Sequence, residues 1–157
     1  MKIENFKLRI NKGFTLMELI MVIVIFTVIA SVTFYFFGGF NKKEILEKDA
    51  ASLTALIRNA RLLSVTSKDA SPFGIHLESD KAVLFEGSLY VAGGLNEKTV
   101  EFSREVYMSA YSINNGGPDI VFTRLTGETL NYGTVKLSLR DDSASTTITI
   151  LRTGVIQ

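Results

Sequence analysis

The apolar positions change rhythm twice along the chain. From Leu19 to Phe37 there are 19 consecutive residues without a charge, rich in Ile and Val. At ~1.5 Å per residue a helix of that length covers roughly 28 Å, close to the ~30 Å of a bilayer's hydrocarbon core. Residues 14–37 are therefore read as a helix that enters a membrane. Gly38-Gly39 follows, a pair expected to interrupt it as a hinge. Asn41-Lys42-Lys43-Glu44 then has the spacing of a capping box. Beyond it, Ile45, Leu46, Leu53, Leu56, Ile57, Ala60 and Leu63 recur at three- and four-residue steps. That spacing predicts a second, amphipathic helix within 38–70, ending near Ser67, with one face turned to a soluble core.

From Ser71 the period falls to two. Phe73, Ile75 and Leu77 alternate with Gly74, His76 and Glu78, and "ESDK" makes a turn before "AVLF". Val135, Leu137 and Leu139 alternate with Lys136, Ser138 and Arg140, and Thr147 to Ile150 repeats the pattern after the turn "DDSAS". Gly116-Gly117-Pro118 and Thr126-Gly127 mark further turns. Alternation of this kind predicts antiparallel strands with one buried face over 71–157. The expected class is α+β: a long N-terminal helix packed on an antiparallel all-β C-terminal domain.

Charge adds a direction. The first 13 residues hold Lys2, Lys7, Arg9 and Lys12 against Glu4 alone, which keeps the N-terminus cytoplasmic and sends the rest outward. Overall there are 17 bases and 16 acids; without that basic leader the side chains sum to −2, so no global basic bias suggests nucleic acid. The chain has no cysteine, so an exported domain must rely on its own core and on partner contacts.

Glu18 is the difficulty, a carboxylate at the mouth of an apolar helix, where full insertion costs about 2.5–3.5 kcal/mol and an interfacial position less. A permanent anchor does not explain it. A secretory signal cut after Val28-Ile29-Ala30 does not either, and apolar residues run on to Phe37. Lys12-Gly13-Phe14-Thr15-Leu16-Met17-Glu18 closely resembles the processing site of type IV prepilins and type II secretion pseudopilins. The resemblance implies that a prepilin peptidase in the inner membrane cuts between Gly13 and Phe14 and N-methylates Phe14. Lys12, Thr15 and Leu16 would belong to the recognised motif, and Glu18 would be the family's acid. Glycine before the cut lets an extended backbone approach a protease closely. The new amine at Phe14 can meet a carboxylate, so Glu18 is expected to pair with the amine of a neighbouring subunit and set register in a helical filament.

The family implies a pilin-like subunit, single-pass in the bacterial inner membrane before assembly and then part of a cell-surface or periplasmic filament. Its expected partners are the peptidase and other pilin or pseudopilin subunits. Thr33 to Phe37 lacks the proline that kinks many pilin helices. "LIRNARLLSVTSKDASPFGIHLESDKAVLF", with Ala60-Arg61, resembles the helix end and first hairpin of H-type minor pseudopilins, and "TTITILRTGVIQ" resembles their closing strands divided by a glycine, here Gly154. An unprocessed membrane-anchored binding module is the alternative from another class. A DNA-binding minor pilin is a third, with Arg58, Arg61 and Lys68 as its strip.

Other chemistry is thin. His76, the single histidine, is expected to be an exposed strand residue, and without a second histidine or a cysteine it gives no transition-metal site. Asp141-Asp142 reads as a solvated turn rather than a Ca²⁺ loop. Gly93-Gly94 and Gly116-Gly117 lack the Lys-Ser/Thr of a phosphate loop. No Ser/His/Asp set is evident, and the sequence points to neither an enzyme nor a cofactor.

Overall fold

In the computed structural model, residues 13–66, 70–94 and 96–157 are described, with the side chains of 34–40 outside that description. The leader 1–12, including Lys12, and the segment 67–69, including Lys68, fall outside it too. The chain forms two compact units, 1–39 and 40–157.

One helical element, α1, is assigned over Leu16–Val65. It differs from expectation at both glycines: the backbone is helical through Gly38-Gly39, and Asn41 lies inside the helix rather than at a cap. The reason is energetic scale. A glycine in a helix interior costs ~1 kcal/mol against alanine, a cost that long helical flanks on both sides can absorb. The division between the compact units nevertheless falls at Gly39.

Within 40–157 the helical periodicity is realised as burial. Leu46, Leu53, Ile57 and Ala60 are 0–1% exposed. They pack into one core with residues of two antiparallel sheets. The strands are β1 (Phe73–Leu77), β2 (Lys81–Glu86), β3 (Lys98–Glu101), β4 (Val106–Ile113), β5 (Asp119–Phe122), β6 (Gly133–Leu139) and β7 (Ser145–Ile150). The first sheet runs β3-β2-β1-β5 and the second β4-β6-β7. Opposite β1, Ile75 faces Leu84 on β2 and Ile120 on β5, so the inward positions coincide across three strands. In the second sheet Val135 faces Ile148, and a bulge between Met108 and Ala110 shifts the β4 register. After β7 the chain turns back at Gly154, with Thr149 and Gln157 exchanging backbone hydrogen bonds at 2.9 Å.

Two buried polar side chains tie α1 to the sheets. The Ser64 hydroxyl, fully buried, accepts from Phe73 N at 2.9 Å and donates to Phe73 O at 3.3 Å. The Asp49 carboxylate, 6% exposed, accepts from Ser103 N at 2.7 Å and from the Ser103 hydroxyl at 3.2 Å. A buried carboxylate left unmatched is costly, and this one is satisfied by the β3–β4 turn.

Candidate processing and assembly site

The motif residues sit at the very start of α1. Gly13, Phe14 and Thr15 precede the helix, which begins at Leu16 rather than at Phe14. The cause is local. Thr15 acts as the N-cap: its side-chain oxygen accepts from Glu18 N at 3.2 Å, and its carbonyl accepts from Glu18 N at 3.1 Å and Leu19 N at 3.2 Å. Thr-x-x-Glu is the capping-box spacing, so the cap was readable at Thr15. Glu18 occupies the first turn, where a carboxylate complements the partial positive charge of the helix N-terminus.

Around the expected cut the backbone is open. A Cβ built on Gly13 would have nothing within 4 Å, and Phe14 is 83% exposed. Among the described residues nothing crowds the Gly13-Phe14 bond ahead of the helix start. The arrangement leaves Phe14 and Glu18 on the solvent-facing end of the helix, both available to another chain.

The 18-residue window Leu16–Thr33 that follows is long and apolar enough to cross a membrane, and none of it is buried within the protein. Its three hydroxyls are turned back on the helix itself. Thr27 donates to Val24 O at 2.8 Å, Ser31 to Val28 O at 2.8 Å and Thr33 to Ile29 O at 2.9 Å. Such internal bonds spare a lipid-exposed surface its unsatisfied donors.

The other singled-out residues have structural positions. His76 departs from the exposed strand position expected of it. It is half-buried, its Nδ1 lies 2.5 Å from Asp119 Oδ1, and Tyr90 stacks on its ring at 4.0 Å. The loop carrying Tyr90 folds over the outer sheet face, which strand alternation alone does not reveal. Asp141 holds Lys42 at 2.6 Å and accepts from Ser143 N and Oγ at 3.1 and 2.6 Å. These bonds, the Lys42 contact foremost, hold its carboxyl well below the usual carboxylate range, and the same contact raises the Lys42 ammonium. Among the described residues no group of three or more metal-ligating side chains gathers.

Arg61 and Gly154, singled out separately in the sequence, meet in space. Arg61 Nε donates to Gly127 O at 3.2 Å, and its Nη2 reaches Thr153 O at 3.4 Å. The guanidinium thereby clamps the β5–β6 loop and the terminal turn to α1. Gly154 has φ +75°, and a Cβ there would lie 2.0 Å from Gly127 O, so only glycine fits beneath the clamp. Of the basic strip, Arg58 faces solvent, Arg61 is engaged on carbonyls and Lys68 lies outside the described residues. Ser64 and Asp49 were missed from the sequence; each is a lone polar residue on an apolar helix face, and that misfit was the available signal.

The comparisons agree with this geometry. The family described as "Prokaryotic N-terminal methylation motif" matches residues 8–34. No curated protein matches the chain. The structure of the minor pseudopilin EpsH from the type 2 secretion system of Vibrio cholerae is similar, with a TM-score of 0.55 at 10% identity, covering 71% of this chain and 94% of that one. Residues 8–34 thus match the N-terminal methylation motif, and the α+β body behind them has a fold similar to that of a minor pseudopilin.

Proposed function

We propose that this protein is a structural subunit of a type IV pilus or type II secretion pseudopilus. Prepilin peptidase removes residues 1–13, the amine of Phe14 is methylated, and the processed chain leaves the inner membrane for a helical filament. The observation that carries the reading is the pairing of a complete Gly13-Phe14-Thr15-Leu16-Met17-Glu18 motif with an immediately following apolar helix that buries nothing within its own chain. An apolar surface of that length needs lipid or other apolar helices around it, and a subunit moving from bilayer to filament core meets each in turn.

In this reading Glu18 is an assembly residue. It stands in the first turn, where a neighbour's free N-terminal amine can approach it from the open end of the helix. The pairing exists only after cleavage, so processing and assembly are coupled through one carboxylate. The body makes no covalent chemistry; it covers the filament surface.

The test is mass spectrometry of the mature N-terminus from cells that carry a prepilin peptidase. A chain beginning at N-methyl-Phe14 is expected. An intact Met1 would mean an unprocessed anchored module, and a start at Ser31 an ordinary secretory signal; either result overturns the proposal.

A further inference from the structure

The loop between β2 and β3 turns two large apolar side chains outward. Leu89 and Val91 are 72% and 66% exposed, whereas Tyr90 between them stacks on His76 and tilts against Phe85 at 5.5 Å. With Tyr90 anchored on the sheet, its two neighbours in this bend stay in solvent. The loop covers the sheet face turned away from α1: Val83 and Phe85 on that face are 2% exposed yet lie outside the core that packs on the helix. It is also closed on itself, since Glu97 accepts from Gly94 N at 2.9 Å and Glu86 from Asn96 at 2.7 Å. Leu89 and Val91 thus form a preorganised apolar knob. Glu86 and Glu97 border it, with Lys98 next in the chain.

On the side where α1 meets the terminal hairpin there is a complementary hollow. A cleft of about 420 Å³ is lined by Arg58, Arg61, Leu62, Val65 and Val155, with Ile156 beneath. Leu62 and Val155 are 59% and 44% exposed. Arg61 is engaged on backbone carbonyls, but the Arg58 guanidinium has no hydrogen bond or ion pair among the described residues. Arg58 also borders the adjoining 490 Å³ groove along α1, so a cation without a partner among the described residues stands between two hollows.

Knob and cleft match in kind and oppose in charge, and one lies on the sheet face away from α1 while the other is built on α1. We propose that Leu89 and Val91 of one copy dock into the Arg58-bordered cleft of a second copy. Apolar burial holds the contact, and Arg58 facing the Glu97 carboxylate beside the knob sets its orientation. Because the two surfaces differ, the contact is head-to-tail, and such contacts propagate into rings or filaments instead of stopping at a two-fold dimer. The inference deepens the filament reading and rests on it for its setting, although the contact itself requires no processing.

The chain's lack of cysteine makes the test direct. The full-length protein in detergent micelles is prepared as Leu89→Cys, as Val155→Cys and as the double variant, then oxidised. The double variant is expected to give a ladder of disulfide-linked multimers. Mixing the two single variants should give a mixed dimer at least tenfold above either variant alone. Adding Arg58→Glu should lower that yield about tenfold and Arg58→Lys should restore it, with circular dichroism melts showing that each variant remains folded. Equal cross-linking by Leu89→Cys alone would mean a two-fold contact and overturn the proposal. So would a folded double variant without multimers, or Val155→Cys cross-linking only to a different pilin-like subunit. The N-terminal mass reports separately: N-methyl-Phe14 without the ladder removes this contact alone, and an intact Met1 with the ladder removes the filament reading alone.

Discussion

The two halves of α1 are both apolar, yet they solve opposite problems. In residues 16–33 apolar side chains surround the helix and all but Ala30 are exposed, because no described residue covers them. In residues 44–65 one apolar stripe is set apart, and its Leu46, Leu53, Ile57 and Ala60 disappear beneath two sheets while Leu62 stays exposed. The difference lies in spacing rather than in total hydrophobicity. A stripe at helical period can be buried by its own domain, whereas an apolar surface on every side requires an environment the chain does not supply. The first half thus leaves its apolar surface uncovered by the described residues, and the second builds a private core.

Substitutions can break that comparison where it is strongest. Gly13→Val should abolish cleavage, leaving the full leader attached by mass spectrometry, because a branched side chain obstructs the extended backbone at the cut. Glu18→Ala should leave cleavage and methylation intact and remove the subunit from sheared filaments; normal incorporation would show that the carboxylate does not set register. Leu53→Ala should lower the unfolding free energy of the body by about 2–5 kcal/mol in denaturant titrations. Val24→Ala is the matched control in the other half, with no change in the body's unfolding midpoint. Gly154→Ala should cost about 1–3 kcal/mol from its backbone conformation alone, with the close Gly127 carbonyl adding to that. Proteolysis of the terminal hairpin would read it.

The smallest effect should come from the exposed Lys42–Asp141 pair. Asp141 is depressed, so its stabilisation is present above the ordinary aspartate pKa of about 3.9 and is lost as pH falls through the folded value. Lys42 is raised, so its share is present below about 10.4 and is lost as pH rises through the folded value. Thermal melts of Asp141→Asn should therefore differ slightly from the parent at neutral pH and converge with it in acid. High salt should shrink the difference further, since both side chains are solvent-exposed.

Much of this was legible. The alternations at 73–77, 135–139 and 147–150 all became strands, and the helical stripe became the core face of α1. The missing strands show what limits such reading. β5 is four residues long, β3 is a mostly exposed edge, and β4 loses its alternation at the bulge between Met108 and Ala110. At Gly38-Gly39 the backbone stays helical while the division between the compact units falls there, because glycine marks a weak point without forcing a break. At the candidate site, Gly13, Phe14 and Glu18 were singled out from their register, but the capping position of Thr15 was overlooked.

What the sequence determined by itself is everything that depends on neighbours in the chain. That includes the membrane-length helix, the Gly13-to-Glu18 motif, the acid in the first turn and the period of each apolar face, all of which act over a few residues. Only the tertiary structure decided which distant residues meet. Arg61 finds Gly127 and Thr153, Asp49 finds Ser103, and Tyr90 covers His76, lifting Leu89 and Val91 into solvent. These contacts depend on how two sheets and a loop pack around one helix, and a packing geometry is a property of the whole core that no local spacing encodes.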